Sequence, residues 1–178
     1  LLYDLLQHPL VHRLTRIKQL GLTSYVYPGT QHTRFQHSLG ALHLMTEAIK
    51  TLQNKGNNIT DDEANAVYAA ILLHDLGHGP FSHTLEDFFF THHSHEEVGL
   101  ALIEQLNRDF NGKLDLTLQI LRNTYAKGYL HELVSGQLDM DRLDYLRRDS
   151  FFSGVTEGNI GSARIIKMLN IKNDKLVV

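Results

Sequence analysis

A chain of 178 residues, 42 % hydrophobic and 21 % charged, has the make-up of one globular domain with a sizeable core. Its formal charge of −3, without any run of lysines or arginines, excludes a protein built to neutralise a row of nucleic-acid phosphates. No cysteine is present, which excludes disulfides and thiolate metal sites and fits a reducing, cytoplasmic setting.

In chain order, helical periodicity dominates. Leu6, Leu10, Leu14, Ile17 and Leu20 recur at steps of three and four, and Gly21 stands where a glycine would stop that helix. Thr23 to Thr30 reads as β-like and then turns at Pro28-Gly29. Phe35, Leu39, Leu42, Met45, Ile49 and Leu52 stripe a helix from about Thr33 to Lys55, ended by Gly56-Asn57-Asn58. Thr60-Asp61-Asp62-Glu63 is a capping box that opens a helix delivering His74-Asp75 at its C-terminal end. Within that helix the apolar run Ala66 to Leu73, the longest in the chain, is too short to span a bilayer, so no membrane partner is expected. Ser94-His95-Glu96-Glu97 is a second capping box. Further helices are expected over Leu114–Tyr125, Leu130–Arg148 and Ile160–Leu169. The expectation is one all-α domain with a minor β-like segment near residues 24–28. Its ends, Leu1-Leu2-Tyr3 and the strand-like Lys175-Leu176-Val177-Val178, read as those of a fragment lacking a C-terminal part.

Histidine is the anomaly, at 12 residues. His74-Asp75 closes a buried apolar run, and an aspartate there needs a partner. Imidazole plus carboxylate suits a divalent first-row metal, although an isolated His-Asp pair is common by chance and a C-terminal histidine also suits the helix dipole. His78 and His83 flank Gly79-Pro80. Asp141, Asp144, Tyr145 and Arg148 share a helix face, which suits either an anionic ligand beside a metal or an exposed salt-bridged surface. His37, between Phe35 and Leu39, has the setting of a packed histidine. Solvent contact accounts for His92, His93 and His131.

Together these segments resemble the HD-domain phosphohydrolases, and within them the dGTP triphosphohydrolase and SAMHD-type deoxynucleotide triphosphohydrolase branch. The matching text is RIKQLG (Arg16–Gly21), YVYPGTQHTRFQHSLG (Tyr25–Gly40), HDLGHGPFSH (His74–His83), HEE (His95–Glu97) and DMDRLDYLRRD (Asp139–Asp149). The resemblance implies an HD-domain helical bundle around one divalent ion (Mn, Fe, Zn, Ni or Mg) held by His37, His74, Asp75 and Asp141. A second Mg²⁺ accompanying the substrate phosphates is left open. It implies an acid–base set of His78, His83, Glu86 and His95. Arg34 and Arg142 would meet phosphate oxygens, Gln19 the sugar 3′ hydroxyl, Tyr145 the 2′ position and Asp149 the sugar; some members carry lysine at the Arg142 position. The implied reaction converts a deoxynucleoside triphosphate to deoxynucleoside and inorganic triphosphate. Two alternatives stay open: the same site acting on a nucleoside monophosphate or other phosphoester, and a nucleotide-sensing module with a vestigial site. A homo-oligomer is expected of the full-length protein, and no nucleic-acid partner.

Overall fold

The computed structural model describes residues 1–85 and 94–178. Its helices are α1 (Leu2–Gln7), α2 (Pro9–His12), α3 (Arg34–Asn54), α4 (Asp61–Leu73), α5 (His95–Asp109), α6 (Asp115–Leu121), α7 (Gly128–Glu132), α8 (Met140–Ser153) and α9 (Ser162–Met168). The strands β1 (Asn170–Lys172) and β2 (Lys175–Val177) pair antiparallel as a hairpin, with Ile171 opposite Leu176. The strand foreseen at Lys175 is the second arm of that hairpin. Asn173 and Asp174 both take positive φ in its two-residue turn, as the twist of such hairpins demands.

α4 is the centre of the molecule. Ala66, Val67 and Ala69 through Leu73 are all buried, so the helix is apolar on every side. Val67, Ala70 and Ile71 join a core with Met45, Ile49, Leu52, Leu130, Met140 and Leu143. Ala69, Leu72 and Leu73 join a second core with Leu5, Leu14, Ile103, Leu106 and Leu114. α3 packs on both α4 and α8. The starts of α3, α4 and α8 are capped locally. Thr33 and Thr60 each form a reciprocal capping box, with Gln36 and Glu63, and Asp139 accepts from the backbone nitrogen of Arg142.

Three expectations are corrected. The stripe from Leu6 to Leu20 is not one helix. His8 precedes Pro9 and is extended, as a residue before proline prefers, which ends α1 and starts α2 with proline at its first position. A 3₁₀ turn then covers Arg13–Arg16, and the chain is extended again at Ile17. Thr23 to Thr30 is not β-like. Gly21–Tyr25 is a 3₁₀ turn, and Thr30 bonds back to the Tyr27 carbonyl. Tyr25 and Val26 are exposed, and among the described residues no strand pairs with them, so their β-propensity has nothing to act on. Gly21 does not stop a helix; it takes φ +52° where a Cβ would meet the Phe81 carbonyl at 2.8 Å. The helix expected over Leu130–Arg148 is two, α7 and α8, because Asp139 bonds the backbone nitrogens of both Gly136 and Arg142 and turns the chain between them.

Candidate metal centre

The site is built from helix ends. His37 lies in the first turn of α3, His74 is the C-cap of α4, and Asp141 lies in the first turn of α8. His37 Nε2 stands 3.3 Å from His74 Nε2 and 2.9 Å from Asp141 Oδ1, and His74 Nε2 stands 3.3 Å from the same oxygen. Two ligands on one first-row ion, at bonds of about 2.1 Å and angles of 90–109°, are about 3.0–3.4 Å apart. The three atoms therefore have the edges of one face of a coordination polyhedron. Asp75 lies slightly wider, with Oδ1 3.6 Å from His74 Nε2 and Oδ2 3.9 Å from His37 Nε2.

Hydrogen bonding decides what these atoms present. His74 Nδ1 lies 2.6 Å from the carbonyl of Ile71, which only accepts, so this nitrogen carries the proton. His37 Nδ1 lies 2.8 Å from Asp144 Oδ2 and donates in the same way. When neutral, both rings thus turn lone pairs toward each other and toward a carboxylate. The charges say the same. Burial alone would push the His74 imidazole down, but Asp75 and Asp141 raise it to about 10. His37 is raised against its burial by Asp141 and Asp144. Burial would raise Asp75, yet His74 and Arg34 bring it down to about 2, and His74 and His37 hold Asp141 well below the usual carboxylate range. Such a cluster calls for positive charge at its centre. Protons provide it in the absence of a metal; a divalent ion provides it with both imidazoles neutral. The donor set fits such an ion.

The cluster opens onto a cavity of about 560 Å³. Of the residues expected at the site, Gln19, Arg34, His74, Asp75, His78 and His95 line it, as do Asp141, Tyr145 and Asp149. Gln19 arrives there because the chain leaves helical geometry at Ile17: Lys18 bridges to Thr33, and the Gln19 backbone nitrogen donates to the His32 carbonyl. Arg34 donates from Nη1 to Asp75 Oδ2 at 2.7 Å. His78 stacks on His95, centroids 4.1 Å apart, with its Nε2 3.4 Å from Asp75 Oδ1. Arg13 grips the loop from behind through the carbonyls of Leu76 and His78. Buried His32 lies 2.6 Å from Asp149 Oδ1 through Nε2 and stacks on Phe152. Burial raises the Tyr145 phenol, which keeps it protonated at neutral pH.

Arg142 is not brought to the cavity wall; its side chain is exposed at the start of α8. Glu86 and the side chain of His83 lie outside what the structure describes, as do His92 and His93. Two residues take parts that the sequence reading did not give them. His131 lines the cavity and bonds the Ile120 carbonyl, rather than meeting solvent alone. Asp144 is buried behind His37 rather than lying on an exposed face. Its signal in the sequence was the helix face it shares with Asp141, Tyr145 and Arg148.

Residues 34–149 match the HD domain. The chain belongs to the HD-domain family. This HD domain is 35 % identical to the uncharacterized protein YwfO of Bacillus subtilis, over 100 % of its own length and 42 % of YwfO. It is 31 % identical to mouse deoxynucleoside triphosphate triphosphohydrolase SAMHD1, over 96 % of the chain and 32 % of that protein. It superposes on the crystal structure of a phosphohydrolase from Bacteroides thetaiotaomicron with a TM-score of 0.97 at 67 % identity, covering 100 % of this chain and 45 % of that one. The HD domain thus spans less than half the length of these relatives. No described helix is long and apolar enough to cross a membrane.

Proposed function

We propose that this domain carries the active centre of a metal-dependent phosphohydrolase that converts deoxynucleoside triphosphates to deoxynucleoside and inorganic triphosphate. The observation that carries the reading is the triangle of His37 Nε2, His74 Nε2 and Asp141 Oδ1, with edges of 2.9–3.3 Å, at the wall of a cavity of about 560 Å³. That volume falls within the range of small-molecule sites, roughly 300–1,000 Å³. The similarity to mouse SAMHD1 supports the substrate class.

A divalent ion held by His37, His74, Asp75 and Asp141 would supply Lewis-acid polarisation at the α-phosphoryl group. The protein's own groups do the rest. Water attacks the α-phosphorus, the bond to the 5′ oxygen breaks, and that oxygen takes a proton. His78 and His95, stacked on each other beside Asp75, are placed to hold and pass that proton. Arg34 and the N-terminal ends of α3 and α5 favour the negative charge of a triphosphate. Gln19 and Asp149 meet the sugar, and Tyr145 crowds the 2′ position against a ribose hydroxyl.

The exposed position of Arg142 favours a second reading, since one expected phosphate contact is missing from the wall. In that reading the substrate is a phosphomonoester with less charge to neutralise. One experiment separates the two. The full-length protein is incubated with Mn²⁺ and a mixture of deoxy- and ribonucleoside triphosphates and monophosphates, and the products are identified by mass. Deoxynucleoside plus triphosphate is expected, and addition of EDTA is expected to stop its formation. Intact triphosphates with consumed monophosphates would replace the first reading by the second.

The placing of His95 depends on a backbone contact. A Cβ on Gly77 would stand 1.8 Å from the His95 carbonyl and 2.6 Å from the Gly99 nitrogen. Neither atom can swing aside as a side chain could. Gly77→Ala therefore pushes α5 and His95 away from His78, and kcat is expected to fall about 100-fold, the usual consequence of displacing a reacting group by an ångström. Steady-state assays beside a thermal melt check this; a folded variant with wild-type kcat would remove His95 from the reaction.

A further inference from the structure

His37 on α3 is followed one turn later by Gly40, and Asp144 on α8 is followed one turn later by Arg148. The two helices pack together here. Asp144 is buried, and its Oδ2 lies 2.8 Å from His37 Nδ1. The same carboxylate accepts from Arg148 at two points, from Nε at 2.8 Å and from Nη2 at 2.9 Å. A Cβ on Gly40 would lie 2.1 Å from Arg148 Nη2 and 2.1 Å from Asp144 Oδ1. An arginine, a carboxylate and an imidazole are thus fitted to one another across a helix crossing, in a space that only glycine leaves open.

We propose that Asp144 is the positioning residue for the metal-facing nitrogen of His37, that Arg148 fixes Asp144, and that residue 40 is glycine to admit both. The inference rests on the reading of His37, His74 and Asp141 as metal ligands. A carboxylate only accepts, so the proton of neutral His37 stays on Nδ1 and the lone pair of Nε2 faces His74 and Asp141. The two-point grip of Arg148 stops the carboxylate from rotating away. An i, i+4 ion pair made for the surface would need neither the imidazole nor the glycine. Neither Asp144 nor Arg148 lines the cavity beside the cluster, so both act on it only through His37.

The test measures the Mn²⁺ dissociation constant of the metal-stripped protein, by the paramagnetic resonance of free Mn²⁺. It compares wild type with Asp144→Asn, Arg148→Lys, Gly40→Ala and His37→Ala. An asparagine has one acceptor oxygen where the carboxylate has two: placed at Oδ2 it sets its amide against Arg148 Nη2 and gives up the charge, and turned to meet Nη2 it offers its amide to His37 Nδ1 and drives the proton to Nε2, into the metal site. Asp144→Asn is expected to weaken Mn²⁺ about 10- to 100-fold, as losing such a partner usually does. Arg148→Lys, which keeps the charge and loses the fork, is expected to fall between it and wild type. Gly40→Ala should weaken Mn²⁺ although alanine is the better helix former. In the Zn²⁺-loaded wild type, the His37 Nδ1 proton is expected as a slowly exchanging downfield resonance that moves upfield in Asp144→Asn. Wild-type affinity in a folded Asp144→Asn, or a wild-type spectrum without that resonance, would overturn the inference. If Asp144→Asn does not fold, Arg148→Lys and the wild-type spectrum decide. Equal Mn²⁺ binding by wild type and His37→Ala would instead bring down the ligand assignment itself, a different failure.

Discussion

Asp141→Asn is expected to fold normally, to lose most of its divalent metal and to lower kcat about 1,000-fold, the equivalent of about 4 kcal/mol of transition-state stabilisation. Asp141 lies in the first turn of α8, where asparagine is tolerated, and the helix is capped independently by Asp139. The fold therefore does not depend on its charge. The centre does. Asp141 Oδ1 lies within 3.3 Å of both His37 Nε2 and His74 Nε2. An asparagine amide in its place would donate to those nitrogens and fill, with N–H groups, the position a cation would take. His74, held at about 10 in part by Asp141, would also fall back toward an ordinary histidine value. Metal content by mass spectrometry and kcat measured on the same preparation check this. An asparagine variant that keeps both its metal and its rate would exclude Asp141 from the centre.

Glu63→Ala is expected to destabilise the domain by about 3 kcal/mol without touching the cavity, since it breaks a buried, multiply bonded carboxylate. Glu63 is 3 % exposed. It accepts from the Thr60 backbone nitrogen at 2.8 Å, from the Tyr125 hydroxyl at 2.7 Å and from Lys127 Nζ at 2.8 Å. The first bond closes the capping box of α4, and the others tie the chain after α6 to the start of the central helix. A melt should show the transition lower by about 6–12 °C, at 2–4 °C per kcal/mol for a domain of this size. The effect also has a pH signature. Burial would raise the Glu63 carboxyl, but Lys127, the Thr60 backbone and Tyr125 together hold it below its ordinary value. A depressed folded-state pKa contributes stability that is complete above the unfolded value of about 4.3 and is lost as pH falls through the folded value. The gap between wild type and Glu63→Gln, which keeps the shape and removes the charge, should accordingly be widest at neutral pH and close in acid. A gap that stays constant from neutral pH to pH 3 would rule out the ion pair as its source.

What could be read from the sequence was what is local. The capping boxes at Thr60 and Ser94 form as their letters require, because each is a pair of hydrogen bonds within four residues. α3 forms over the span its stripe marks, although Leu39 of that stripe is exposed. The stripe from Leu6 to Leu20 misled because burial repeats every three or four residues even where Pro9 and an extended Ile17 interrupt the backbone. Val26 and Tyr27 misled because strand preference expresses a pairing strand alongside, and no described strand pairs with them. Asp139, Asp141 and Asp144 are three aspartates within six residues with three different surroundings. The first bonds two backbone nitrogens, the second faces two imidazole nitrogens, and the third is clasped by an arginine behind a histidine. No periodicity distinguishes them, since the difference lies in what each one meets: its own backbone, a pair of imidazoles, or an arginine behind α3. Resemblance singled out Asp141; only the crossing of α3 and α8 brings out Asp144.

α3 and α8 begin at the metal cluster, and α4 ends there. Every group that faces the ion site thus sits within a turn of a terminus that its own neighbours close off. The connection between α3 and α4, at Lys55 to Thr60, lies a full helix away, about 30 Å along α3 at 1.5 Å per residue. The domain therefore has two poles with different freedoms. At one, shifting the chain by a single residue turns a donor away from its partners. At the other, a Cβ on Gly56 would meet nothing, and a segment inserted at that glycine strains only the ties that Lys55, Asn57 and buried Ile59 make nearby, leaving the donors of the cluster in place.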